Sequence, residues 1–151
     1  MARAKEYTFP VRVEWVSGRT VVAGVLGKPA VVVSPPVEFN KDADPEVWSP
    51  EDLFCNAAAT CLAVGIARLA AAAEVDLVDL AVSAEGTVTR REDGRFGFTK
   101  LAQVVELCVE PGHEEAAREL VERAEDGCLV AASLDVAVET DVVVRTPAVA
   151  A

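Results

Sequence analysis

The side chains in this sequence best suited to covalent chemistry are four cysteines, Cys55, Cys61, Cys108 and Cys128. A thiolate is a strong nucleophile and passes reversibly through oxidised states, so two thiols together can run a redox cycle. Cys61 stands in Ala57-Ala58-Ala59-Thr60-Cys61-Leu62, among small residues that allow close approach. Cys128 stands in Glu125-Asp126-Gly127-Cys128-Leu129, just past a helix stop. Spacing alone leaves two readings open, because Cys also serves as a small buried hydrophobe. Cys55 and Cys108 lie in apolar segments and read as core. Other chemistries are poorly served. The chain has one His, His113, and no Cys-x-x-Cys pair, which disfavours a zinc site. Gly18, Gly24 and Gly27 lie in strand and turn context rather than in a phosphate loop. Ser17, Ser49 and Ser133 lack a His partner for a triad.

The elements that must hold these thiols can be read from pattern and punctuation. With 151 residues and 52% hydrophobic content, the chain suits one globular domain, residues 1–151. A net charge of −11 opposes phosphate backbones and anionic membrane surfaces, so neither nucleic acid nor membrane is expected as a partner. Met1–Tyr7 is charged and no apolar run follows, which points to the cytoplasm. Thiols there are more often free or redox-active than structural bridges. The apolar stretch Leu53–Ala73 contains Asn56, Thr60 and Arg68 and is rich in Ala, so it reads as a buried helix and not a membrane span.

Arg12–Val16, Thr20–Leu26 and Ala30–Ser34 read as a three-strand meander, with turns at Ser17-Gly18 and Gly27-Lys28-Pro29. Pro35–Trp48 has no period and reads as a long loop. Ser49-Pro50-Glu51-Asp52 is a strong helix start: a capping hydroxyl, a proline at the first helical position, and two acids for the dipole. The helix should run to about Ala73 or Glu74, apolar on nearly every side, with packing expected all round. Asp76–Val88 and Phe96–Val109 form a hairpin about Asp93-Gly94, His113–Asp126 an amphipathic helix, and Leu134–Val144 a last strand. The order βββ-α-ββ-α-β is α+β.

Ser49-Pro50-Glu51-Asp52-Leu53 followed by Ala57-Ala58-Ala59-Thr60-Cys61 resembles the Asn-Pro-Glu-(any)-Leu…Ala-Ala-Cys helix of OsmC/Ohr proteins, with the same ten-residue step from Glu to Cys. The Glu85-Gly86-Thr87-Val88 segment, the Asp93-Gly94 turn and the Glu114–Cys128 helix ending in cysteine match that family's order. The resemblance runs from about Arg12 to Val144. It implies an intertwined homodimer, an OsmC-like fold about a long buried central helix, and a thiol-dependent peroxidase acting on organic hydroperoxides. It assigns Cys61 as peroxidatic, Cys128 as resolving, and Glu51 as the acid that positions an arginine. Arg19 is the best match for that arginine; Arg12 and Arg68 are alternatives. Leu129 follows the resolving cysteine where many members have Pro. The resemblance further implies an external dithiol reductant, a lipoyl protein or a small thiol, and no bound cofactor or metal.

Physical chemistry explains why such a site needs those partners. A free Cys has a pKa of about 8.5, and burial among Ala and Leu raises it. An opposite charge within about 4–6 Å can lower it by roughly 1–3 units, so an arginine beside Cys61 restores the thiolate. Its planar fork can hold Glu51 and still donate to a peroxide oxygen. On one straight helix, however, Glu51 and Cys61 stand about 15 Å apart along the axis and roughly 80° apart in rotation. Either a long arginine spans much of the gap, or, the favoured reading, Glu51 from one subunit serves Cys61 of the other in a composite site. Two rival readings remain: a non-catalytic OsmC-like protein binding a small ligand, and a hotdog-like thioesterase with Glu51 or an Asp as base.

Overall fold

The computed structural model describes residues 5–148. Contacts divide the chain between Leu53 and Phe54 into a smaller N-terminal unit and a larger C-terminal one.

In the smaller unit, β1 (Arg12–Ser17), β2 (Thr20–Gly24) and β3 (Val31–Val33) form the expected antiparallel meander. The β1–β2 turn uses Gly18 at φ +52°, a left-handed conformation that glycine adopts without steric cost. Every residue of β1 is exposed, including Val13, Trp15 and Val16. The Pro35–Trp48 segment is a loop ordered by successive turns. Pro36 O accepts from the Phe39 and Asn40 N–H groups, Asn40 O from Ala43, and Asp44 O from Val47. It returns to the sheet where Val33 bridges Trp48 and the Ser34 N–H donates to Trp48 O at 3.0 Å.

The helix start follows the sequence closely. Helix α1 covers Pro50–Ala72, and Ser49 closes a reciprocal cap. The Asp52 N–H donates to Ser49 Oγ at 3.0 Å, while Asp52 Oδ2 accepts from the Ser49 N–H and hydroxyl, each at 2.8 Å.

In the larger unit, β4 (Leu77–Arg90) and β5 (Phe96–Val109) pair along their length as a hairpin, from Leu77↔Val109 to Arg90↔Phe96. The turn closes with the Arg91 N–H on Arg95 O and Gly94 at φ +84°. Asp93 Oδ2 accepts from Arg95 Nε at 2.8 Å, and this contact holds the Asp93 carboxyl below its ordinary range. Helix α2 (Glu114–Asp126) crosses over to β6 (Ala137–Arg145), which lies parallel to β5. A four-residue helix, α3 (Leu129–Ala132), stands where the sequence pattern predicted only a connection. It is too short for periodicity to reveal.

The core forms between Leu62, Ile66, Leu69 and Ala70 of α1, Val105, Leu107 and Val109 of β5, and Ala117, Leu120, Val121 and Ala124 of α2. These α1 residues recur at helical spacing and so lie along one side. Packing all round, expected from the helix's composition, is not what this chain provides. Ala57, Thr60, Val64, Ala67 and Ala71 stay exposed, because one copy of the chain covers only one side of the helix.

Candidate active site

Two elements of the larger unit bring the sulfurs together. Cys61 lies midway along α1, in its fourth turn, directly before buried Leu62. Cys128 caps the N-terminus of α3, with φ −75° and ψ 105°, and its sulfur accepts from the Ala131 N–H at 3.5 Å. Gly127 ends α2 by donating its N–H to Arg123 O at 3.2 Å, and the chain then turns inward so that Cys128 is only 4% exposed. Cys61 neighbours Cys128 closely enough for the two thiols to interact electrostatically. Burial raises the Cys128 pKa above the ordinary thiol range. The Ala131 N–H opposes that rise, while the hydrogen bond to Cys61 adds to it. Both sulfurs are reduced thiols.

Beside Cys128 opens a cavity of about 210 Å³, lined by Leu62, Gln103, Glu125, Asp126, Cys128, Ala131 and Val138. No cation is among these residues. A charge to lower a thiol pKa therefore has to come from outside the cavity's own lining. Gln103 is a member that sequence reading passed over. The covered row of β5 runs Leu101, Gln103, Val105, Leu107, Val109, and the one polar residue in that alternation was the available signal.

The remaining predicted residues fall as follows. Glu51 stands in the first turn of α1, and its Oε2 is buried without a hydrogen-bond partner among the described residues. Arg19 sits in the β1–β2 turn, exposed, and borders a cleft of the smaller unit with Thr20, Asn40, Asp42 and Asp44. It forms no ion pair with Glu51 among the described residues. Arg12 pairs with Glu14 at 2.8 Å on the exposed face of β1, and Arg68 is exposed on α1. Cys55 packs toward Gly86 and Phe98: a Cβ on Gly86 would lie 2.8 Å from the Cys55 sulfur and 2.5 Å from Phe98 Cε1. Phe98 in turn stacks on Phe54, with centroids 4.0 Å apart. Among the described residues, no three His, Cys, Asp or Glu side chains converge as metal ligands.

Residues 43–143 match the family model described as OsmC-like protein. The chain belongs to the OsmC family. Its fold is shared with an OsmC-like protein of unknown function from Vibrio cholerae O1 biovar eltor, at a TM-score of 0.84 and 15% identity, covering 91% of this chain and 100% of that one. An organic hydroperoxide resistance protein from Elizabethkingia anophelis matches at 0.72 and 20% identity, over 96% of this chain and 100% of that one. The organic hydroperoxide resistance protein OhrB of Bacillus subtilis matches at 0.66 and 20%, over 92% and 98%. No curated protein sequence matches the chain. At these identities the structural neighbours establish the OsmC-like α+β fold.

Proposed function

We propose that this OsmC-family chain is a two-cysteine, thiol-dependent peroxidase that reduces organic hydroperoxides. The observation that carries the reading is that buried Cys128 has Cys61 as its electrostatically interacting neighbour, within a family fold that includes hydroperoxide resistance proteins. The Cys61 thiolate attacks the O–O bond of the hydroperoxide. The alcohol leaves, and Cys61 is left as a sulfenic acid. The Cys128 thiol then condenses with it, forming a disulfide and releasing water. An external dithiol, a lipoyl protein or a small thiol, returns the pair to the reduced state by exchange. No metal or bound cofactor enters this cycle.

The acid and cation of the site come, in this reading, from Glu51 and Arg19, with Glu51 of one subunit serving Cys61 of the other in an intertwined homodimer. Support for a second copy comes from apolar surface that this chain leaves open: Tyr7, Phe9, Val13 and Trp15 of the smaller unit, and the Val64 side of α1. The family match runs across the division after Leu53, which supports reading both units as one domain.

The test is a thiol count before and after one equivalent of cumene hydroperoxide, followed by a peptide map. Two thiols should be lost, with Cys61 and Cys128 linked. No loss of thiols sinks the reading. Cys61→Ser separates the thioesterase alternative, which would keep its activity without that sulfur.

A further inference from the structure

Gln103 is 3% exposed, and its Oε1 has no hydrogen-bond partner among the described residues. Its register neighbour on β6, Thr140, also leaves its hydroxyl oxygen buried and unpartnered, so the two do not satisfy each other. Buried side-chain acceptors are normally paired, and an unpaired one costs free energy. Gln103 and Cys128 line the same cavity. The other polar side chains there, Glu125 and Asp126, are half-buried and exposed, and so have access to water.

We propose that the carboxamide oxygen of Gln103 is a second acceptor for the Cys128 thiol, engaged once Cys61 is oxidised, which makes Gln103 a positioning residue for disulfide formation. The inference rests on the peroxidase reading. A thiol sulfur has one hydrogen and two lone pairs. In the reduced pair, one Cys128 lone pair takes the Ala131 N–H, and Cys61 is the neighbouring thiol that favours the protonated form of Cys128. To attack a sulfenic sulfur on Cys61, Cys128 must present its other lone pair in that direction. The S–H then has to turn elsewhere, and the cavity carries a buried acceptor that no other described residue uses in the reduced state. Attack forms the Cys128–Cys61 S–S bond and breaks the Cys61 S–O bond. The hydroxyl leaves with the thiol proton as one water, and no outside oxidant or reductant is consumed.

Gln103→Met, which keeps side-chain length and loses the acceptor, tests this. Removing an unmet buried acceptor should not unfold the protein. With cumene hydroperoxide and dimedone trapping, the variant should form the Cys61 sulfenic acid at the wild-type rate. That species should then persist about tenfold longer, the rate equivalent of one hydrogen bond. Excess peroxide should drive more Cys61 to the sulfinic acid. Gln103→Asn, which retains an amide oxygen, should recover part of the resolving rate. Resolution at the wild-type rate in Gln103→Met overturns the proposal while leaving the peroxidase reading intact; equal slowing of both steps also overturns it, since that marks a structural role only. If the wild-type protein loses no thiols, both fall together.

Discussion

The two units of the chain solve the burial problem differently. The larger unit closes a core of its own: Leu62, Ile66, Val105, Val109 and Val121 are sealed between α1, β5 and α2, and both sulfurs sit at the edge of that core. The smaller unit does not. All of β1 is exposed, Trp15 is 73% exposed, and Leu26 is open to solvent. Val13 and Trp15 alternate along β1, so two large apolar side chains are exposed on one face of that strand. The groups proposed to activate the thiol, Glu51 and Arg19, belong to the smaller unit, whereas the sulfurs belong to the larger one. In the proposed cycle, the sulfurs would thus come from the unit with its own core, and their electrostatic support from the unit with the open surface.

The sharpest way to break this comparison is to mix two inactive variants. Glu51→Gln and Cys61→Ser subunits, unfolded and refolded together, should regain peroxide consumption, since a mixed dimer reassembles one complete site across the two chains. Failure to regain activity confines each site to one chain. A second contrast sets core against open surface. Ile66→Ala should cost about 2–5 kcal/mol in urea unfolding. Trp15→Ala should change the lone chain's stability by under about 0.5 kcal/mol, yet weaken self-association at least about tenfold in sedimentation. Within the larger unit, Gly86→Ala drives a methyl group into Cys55 and the Phe98 ring, and should lower stability by about 1–3 kcal/mol.

The smallest effect is on pH dependence. Burial raises the Cys128 pKa in the folded protein, so the folded state holds the thiol proton more tightly than the unfolded chain does. That contribution is full below the unfolded thiol pKa, about 8.5. It is lost as pH rises through the higher folded value. Cys128→Ala should remove this alkaline loss from the stability profile, measured by denaturation between pH 8 and 11.

The strand order, the capped start of α1 and the Asp93-Gly94 hairpin were legible because each rests on local chemistry: alternation, a reciprocal Ser49–Asp52 cap, a glycine at positive φ. The pairing of β6 parallel to β5 was not read from pattern, since alternation says nothing about the neighbour's direction. The proximity of Cys61 and Cys128 depends on where α2 delivers the chain, which no spacing encodes. Gln103 was visible as a polar residue in an apolar row, but its significance lies in a missing partner, and only coordinates show that. The open side of α1 has the same origin. The composition of Ala57, Val64 and Ala71 signals burial without saying which chain supplies it.

The parallel pairing of β5 with β6 has a kinetic consequence. The β4–β5 hairpin can form from local contacts, but β6 docks only after the α2 crossover has closed a long loop, a slow class of event. Cys128 lies within that crossover, between α2 and β6, so its approach to Cys61 belongs to the late stage of folding. Protection of Cys128 from alkylation during refolding should therefore appear with the slowest phase, after the hairpin signal is complete. In the proposed cycle, a chain caught before that phase would carry Cys61 with no resolving partner.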